Sequence, residues 1–394
     1  MAQASQHQNG SFVLQINASD LKPLCADLLK LKWDPHSPLA FLLEQRKTKA
    51  KKATKALKAV AADENTARAL SILANPQIVL NTRMGGGSQP FVPSTACLAP
   101  SLDPEVVALI SPSFEGSYLV QLFETPWRYL AFWLNLNASG AAEPIPNYMP
   151  PPLSLEAFVY VAHSIDCFRR VSLSDLLDHE NHAGASIDPD VFGETLGSAL
   201  KSGDMRWLLP AFLRLTPGLD LSGFDEDGAH LTALERLDFL VPAQTKNGRD
   251  TVLLFGEAGR AMGQEFTRTW FGANGFEWAQ ATPKGLNVLH RGFLAPTALA
   301  NHLCMVENGS ANGLSINHQA LTREALDAHF AKLLGRALEP ALEEGQTERA
   351  AHGSEQDETE APAPSAPKFC PQCGGKLRAN AKFCSGCGES VVLG

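Results

Sequence analysis

Charge is scarce in this chain, and long apolar runs, the cysteine distribution of a disulfide-stapled chain and a basic surplus are missing. Charged residues are 19% of the 394, too few for a coiled coil. No uncharged apolar run approaches the roughly 18 residues that a membrane helix needs. The nearest, Leu119 to Leu136, is interrupted by Glu124, Pro126 and Arg128. The opening MAQASQHQNGSF has neither the basic nor the apolar region of a secretory signal. A soluble, cytoplasmic protein is expected. The net charge of −9 argues against a chain built as a whole to coat nucleic acid. A disulfide-stapled secreted protein would spread its cysteines through a small, loop-rich chain. Here four of the eight lie between Cys370 and Cys387, and Cys25, Cys97, Cys167 and Cys304 are scattered. That pattern fits a reducing compartment and one local metal site. Hydrophobic residues are 44% of the chain, enough for real cores, and the length suggests two or three domains at roughly 100–200 residues each.

The usual catalytic signatures are missing too. GGG at 85–87 lacks the Lys-Ser/Thr of a phosphate loop and reads as a hairpin turn. GEAGRAMG (256–263) has glycines but opens no dinucleotide-binding βαβ unit. Asp178, His179 and His182 crowd one segment, yet His-Glu-Asn-His is not the spacing that puts two imidazoles on one helical face. FDEDGAH (224–230) lacks the alternating oxygens and distal Glu of a calcium loop. Cys167 and Cys304 sit in apolar surroundings and read as buried packing residues. Trp127, Tyr129, Phe132 and Trp133 read as sheet core, and as a binding patch if their strand face is exposed. RKTKAKKATKALKAV (46–60) holds seven Lys/Arg but no aromatic, and reads as a solvated helix face rather than a phosphate site. No enzymatic site stands out.

What is present is a mixture of periods. FVLQI (12–16) reads as a strand, and residues 21–31 and 38–73 as helices, the second interruptible near Asp63. QIVLNTRM, VVALIS and YLVQLFETPWRYLAFWLNL read as sheet with hairpin turns. A proline-rich connector, PIPNYMPPP, precedes a helix opening at Ser154, and 153–240 is mostly helical. Leu231, Leu234, Leu237 and Leu240 share a helix face; Asn247-Gly248 is a turn, TVLLF a strand, and a further helix follows. That order resembles a winged-helix unit over 231–266. Its first helix carries Glu235, Arg236 and Asp238, a poor complement to DNA. FEWAQA and LNVLHRGFL read as β-rich, and a terminal helix starts at about Thr322.

LSLEAFVYVAHSI (153–165) aligns without gaps to LTREALDAHFAKL (321–333). With the repeated order of helical and β-rich blocks, this suggests an α+β body of two related halves. Each half is expected to combine helices with small antiparallel sheets. The expected domains are a disordered N-terminus (1–11), a first half (12–170), a second half (171–340), a disordered acidic and Pro-Ala linker (341–367) and a small C-terminal module (368–394). From Glu339 to Glu360 there are eight acidic residues and one basic, so this segment alone supplies −7. Such a segment buries too little apolar surface to offset its chain entropy.

The strongest motif is FCPQCGGKLRANAKFCSGCGES. Cys370 and Cys373 form one CxxC pair, Cys384 and Cys387 the other, and Gly374 and Gly388 allow a tight turn after each. Four thiolates at about 2.3 Å around a tetrahedral ion select Zn²⁺, and a fully ligated site is structural. The segment resembles the short zinc-ribbon family, whose members serve protein or nucleic-acid contact. Lys376, Arg378 and Lys382 make its face basic.

The two-half layout of the body, with mixed helices and small sheets, resembles EspG-type chaperones of type VII secretion, although a zinc ribbon departs from that pattern. The resemblance implies an elongated helical partner docking on an exposed sheet or helix groove. The sequence thus reads as a non-enzymatic, protein-binding adaptor or chaperone with one structural Zn²⁺ on a tether. The alternative is a nucleic-acid-binding regulator using 231–266 and the basic ribbon.

Overall fold

Alternating apolar segments form a continuous sheet in this computed structural model, and amphipathic segments pack on its two faces. It describes residues 3–6, 12–44, 54–87, 90–113, 116–150, 152–179, 186–219, 224, 230–245, 247–270, 272–309 and 313–352. The chain divides into two compact units, Met1–Leu342 and Glu343–Gly394; of the second, the helical backbone to His352 is described.

The first unit begins with β1 (Gln3–Gln6), β2 (Phe12–Asn17), α1 (Ala18–Lys22) and a π-helical segment, Pro23–Leu28. Three helices follow: α2 (Pro38–Glu44), α3 (Lys55–Ala61) and α4 (Glu64–Ala74). Next comes a meander of β3 (Ile78–Gly85), β4 (Val92–Ala99), β5 (Asp103–Pro112) and β6 (Ser117–Phe123), closed by α5 (Pro126–Asn137). After the connector come β7 (Leu153–Ser154), α6 (Leu155–Leu177), β8 (Ser186–Ile187), α7 (Pro189–Lys201), α8 (Leu208–Leu215) and α9 (Leu231–Arg236). The wing-like hairpin β9 (Leu240–Gln244) and β10 (Thr251–Phe255) leads into α10 (Glu257–Thr269). A second meander, β11 (Ala273–Thr282), β12 (Gly285–Pro296), β13 (Asn301–Asn308) and β14 (Leu314–Leu321), ends in α11 (Arg323–His352).

The main sheet has the order β1-β2-β6-β5-β4-β3-β11-β12-β13-β14-β7. Its neighbours are antiparallel throughout, including the central pair β3–β11. The halves are therefore repeats of one plan: an outer strand, a helical block, a four-stranded meander and a closing helix. Because side chains alternate across a strand, β3 sends Ile78 and Leu80 to one face and Val79 to the other. The first face is covered by α5 and α11. There Trp133, Phe276 and Phe330 interlock with ring centroids 6.1, 5.0 and 5.2 Å apart, contacts that contribute about 0.5–1.5 kcal/mol each beyond burial. The opposite face carries two separate helical blocks: α1–α4 on the first half's strands, and α6 to α10 on the second half's.

The mixed α+β character is as expected. The arrangement differs in five places. The strands of both halves join one large sheet, rather than forming separate small ones. The stretch after Phe123 is helix: Thr125 Oγ1 accepts from Arg128 N at 3.1 Å and Pro126 takes the first turn, a start in which proline's missing N–H costs nothing. The boundary expected at 170 falls inside α6, and the halves meet instead at the 138–152 connector. The Ser154 and Thr322 helices are correctly capped, with Ala157 N and Ala325 N bonding the cap oxygens at 3.1 and 3.2 Å. They are not repeat equivalents, however: α6 opens the second half's helical block, and the partner of α11 is α5. Finally, α11 runs to His352, past the expected linker start at 341, through a stretch rich in the helix formers Ala, Leu, Glu and Gln.

Candidate functional site

The two helical blocks leave a gap between them over the middle of the sheet. Cross-strand pairing puts Asn81 opposite Glu277 and Arg83 opposite Gly275 on this open face. The gap is a groove of about 620 Å³. Asn81, Arg83, Thr95, Ile110 and Glu277 belong to its floor. Pro38 and Phe41 stand on the first half's side, and Pro217 and Leu286 on the second's. Its size is that of ordinary ligand pockets.

Specific residues shape this groove. Gly275 lets the end of α8 lie directly on β11: a Cβ there would come within 1.8 Å of the Leu215 carbonyl oxygen. Arg291 fixes the same wall to the floor. Its Nη2 lies 3.1 Å from Glu277 Oε2 and its Nη1 donates to the Gly218 carbonyl at 3.4 Å. On the floor, Thr95 Oγ1 donates to Asn81 Oδ1 at 2.9 Å. Phe41, 63% exposed, and Leu286, 37% exposed, face solvent at the rim. The groove thus combines exposed apolar rims with a floor of polar groups, several already paired.

A smaller cavity of about 120 Å³ lies beside His163 and Cys167, at i and i+4 on α6 with Nε2 3.3 Å from Sγ. The pair invites a nucleophilic reading that its chemistry refuses. His163 Nε2 is 3.1 Å from the Phe192 carbonyl, which can only accept, so the ring's proton sits on Nε2. It cannot then take the proton of Cys167. Burial lowers His163 to about 4, against the Phe192 bond and aided by the charge of Arg170. Burial pushes the Cys167 thiol up to about 12. Both stay neutral near pH 7, whereas an activated cysteine is a thiolate.

A third cluster threads the second half's core. Glu265 on α10 faces His302 Nε2 at 3.0 Å, His302 Nδ1 faces His318 Nε2 at 3.1 Å, and His318 Nδ1 faces Asn147 Oδ1 at 2.8 Å. The Thr297 hydroxyl also bonds Glu265. Asn147 sets the direction of the chain. Its Nδ2 donates to the His318 carbonyl at 3.1 Å and its Oδ1 accepts from Met149 N at 3.1 Å. His318 Nδ1 must therefore donate, leaving Nε2 to accept from His302 Nδ1. The last link, His302 to Glu265, needs one further proton shared by the two. Burial and the neighbouring charge of His302 hold His318 well below the usual histidine range, against a bond to the Met149 backbone. Burial raises Glu265, but the His302 bond and charge and the Thr297 hydroxyl outweigh it, so its carboxyl lies below the ordinary range. The groups lie in a line rather than around a point, and among the described residues no His/Cys/Asp/Glu group is placed to hold a metal.

The sequence-singled residues are dispersed. Cys370, Cys373, Cys384 and Cys387 lie outside the described residues, as does His182. Asp178 and His179 are exposed at the end of α6. Of the basic run, 46–53 lie outside the described residues; in the described part Lys55 and Lys58 are exposed while Leu57 and Val60 are buried. Gly259 and Gly263 are packing glycines: a Cβ at either would strike Phe239 or Phe168. Trp127, Tyr129, Phe132 and Trp133 lie on α5, not in the sheet; Tyr129 and Trp133 are core and Trp127 is 38% exposed. Cys167 and Cys304 are buried as expected. The hairpin over 240–255 forms with β8 a three-stranded sheet of order β8-β10-β9, and Gly248 takes the positive φ of +66° that its turn requires. No described helix is long and apolar enough to cross a membrane.

Neither the family models nor the curated proteins give a match to the chain. Among solved structures, the chain is weakly similar to the Mycobacterium tuberculosis type VII secretion system chaperone EspG5, solved in complex with a PE25-PPE41 dimer. The TM-score is 0.33 and the identity 12%, covering 80% of this chain and 93% of that one.

Proposed function

We propose that this protein is a non-enzymatic adaptor or chaperone that holds a segment of a protein partner in the groove over its shared sheet. The observation that supports this reading is the groove itself: about 620 Å³ of open space floored by β3, β4 and β5 of the first half and β11 of the second, with apolar rims left exposed. Pockets of this kind, apolar with a few placed polar groups, are the default binding sites of a fold. In this reading the ribbon cysteines Cys370, Cys373, Cys384 and Cys387 hold one structural Zn²⁺, and the basic ribbon adds a second contact point. Binding energy would come mainly from covering Phe41 and Leu286, at about 25 cal/mol per Å² of apolar surface removed from water.

The test is affinity capture with the full-length protein and a Phe41→Asp variant. The reading expects a protein partner held by the first and lost from the second. A nucleic-acid regulator would instead bind heparin and DNA or RNA with a steep salt dependence, and Phe41→Asp would leave that binding unchanged.

A further inference from the structure

The charges that bound the groove say what kind of segment fits it, provided that the groove is the partner site. Two full charges of opposite sign lie on its floor, Glu277 and Arg83. Glu277 is committed, bonded by Arg291 Nε and Nη2 at 3.2 and 3.1 Å. Arg83 is not. Its guanidinium sits 5.3 Å from the Phe91 ring centroid, and among the described residues no carboxylate pairs with it.

The register explains why. Arg83 has Gly275 across one side and Pro93 across the other. Cross-strand neighbours ordinarily compensate a charge on a sheet face. Here one has no side chain, and the other brings no charge and no donor or acceptor. The Phe91 face orients the guanidinium without neutralising it. A half-buried guanidinium, oriented and without a carboxylate partner among the described residues, beside exposed apolar rims is a reader of planar anions.

We propose that the groove binds an apolar peptide segment carrying one carboxylate, which pairs with Arg83 while its apolar neighbours cover Phe41 and Leu286. A polyanion is a poor fit, because among the described residues the floor offers one uncompensated cation, Arg83. Nucleic-acid binding needs several cations along a backbone.

The experiment uses the full-length protein and a phage-displayed library of random dodecapeptides. Wild type should enrich sequences with Asp or Glu flanked by Leu, Ile or Phe, and the enrichment should vanish in Phe41→Asp. A peptide made from the enriched sequence should bind Arg83→Met roughly 10- to 100-fold more weakly, the size of one charged hydrogen-bonded pair. The same peptide with its acid changed to amide should lose as much against wild type. The two changes together should lose no more than either alone. Arg83→Lys should restore part of the affinity, since it keeps the charge but not the fork. Enriched peptides without an acid, or losses that simply add, would overturn the Arg83 assignment while leaving the groove in place. Failure of wild type to enrich any peptide over Phe41→Asp, or displacement of bound peptide by single-stranded DNA, would sink the groove reading itself.

Discussion

Glu265 on α10 and His302 on β13 face each other at 3.0 Å in the core of the second half, and the direction of the bonds beyond them leaves one proton between the pair. Through His318 and Asn147 the same line reaches the connector that joins the halves. Substituting Glu265→Ala removes the carboxylate that closes this line and leaves a buried imidazole without its partner. Breaking such a pair costs about 3–5 kcal/mol. Chemical denaturation at pH 7 checks this, and a loss under about 1 kcal/mol would contradict it.

The same core makes the fold sensitive to acid. His163 and His318 have folded-state pKa values lowered below the ordinary histidine value of about 6.5, so below that pH the unfolded chain binds protons that the folded one does not. Their contribution is complete above about pH 6.5 and lost as pH falls, at up to about 1.4 kcal/mol per pH unit for each group. Glu265, also lowered, adds a further loss at more acidic pH, as it takes up a proton more readily in the unfolded chain. Stability measured from pH 7.5 to 5 should fall more steeply for wild type than for His318→Asn. Equal slopes would show that His318 is not held neutral.

Burial should silence the body cysteines. Cys25, Cys97, Cys167 and Cys304 are all free and buried, with the thiols of Cys25 and Cys167 pushed up to about 12 by burial. Native alkylation at pH 8 followed by mass spectrometry should find these four unmodified, and unfolding should expose them all. Rapid labelling of Cys167 in the native protein would restore the nucleophilic reading of its histidine pair.

Gly275 is the residue on which the groove's second wall depends. Gly275→Ala puts a methyl group where the Leu215 carbonyl now lies, so α8 must move off β11. Overpacking of this kind costs about 1–3 kcal/mol. The variant should melt lower, and its partner binding should fall further than the melting shift explains. Unchanged melting would mean that α8 does not rest on this glycine.

Much of the secondary structure was legible in the sequence because it is encoded locally. Ser154 and Thr322 announce their helices as side-chain caps, and Asn247-Gly248 announces its turn. Helix α5 was misread because its aromatic residues also suit a strand. Thr125 as cap, Pro126 in the first turn, and the 3–4 spacing of Tyr129, Leu130, Trp133 and Leu134 were the signals that distinguished it. The joining of β3 to β11 pairs residues nearly 200 positions apart, such as Thr82 and Phe276, and no local pattern encodes that. The groove follows from this pairing, so Arg83 and Glu277 carried no mark in the sequence. His302 opens the apolar run HLCMV, but His318 is flanked by Asn317 and Gln319, so no local pattern marked the two as partners.

The ribbon cysteines make a separate prediction. Purified full-length protein should carry one Zn²⁺ per chain by elemental analysis, and Cys373→Ser or Cys384→Ser should lose it, since a closed four-thiolate site tolerates no missing ligand. Absence of stoichiometric zinc from protein prepared under reducing conditions would remove the metal from the proposal.

The most direct test of the whole reading compares partner capture by three full-length proteins: wild type, the groove variant Phe41→Asp and the ribbon variant Cys373→Ser. If the sheet groove is the principal binding site, the partner held by wild type is kept by Cys373→Ser at half or more of its level and lost from Phe41→Asp. A partner lost from Cys373→Ser but retained by Phe41→Asp would contradict that account and move the binding site to the ribbon.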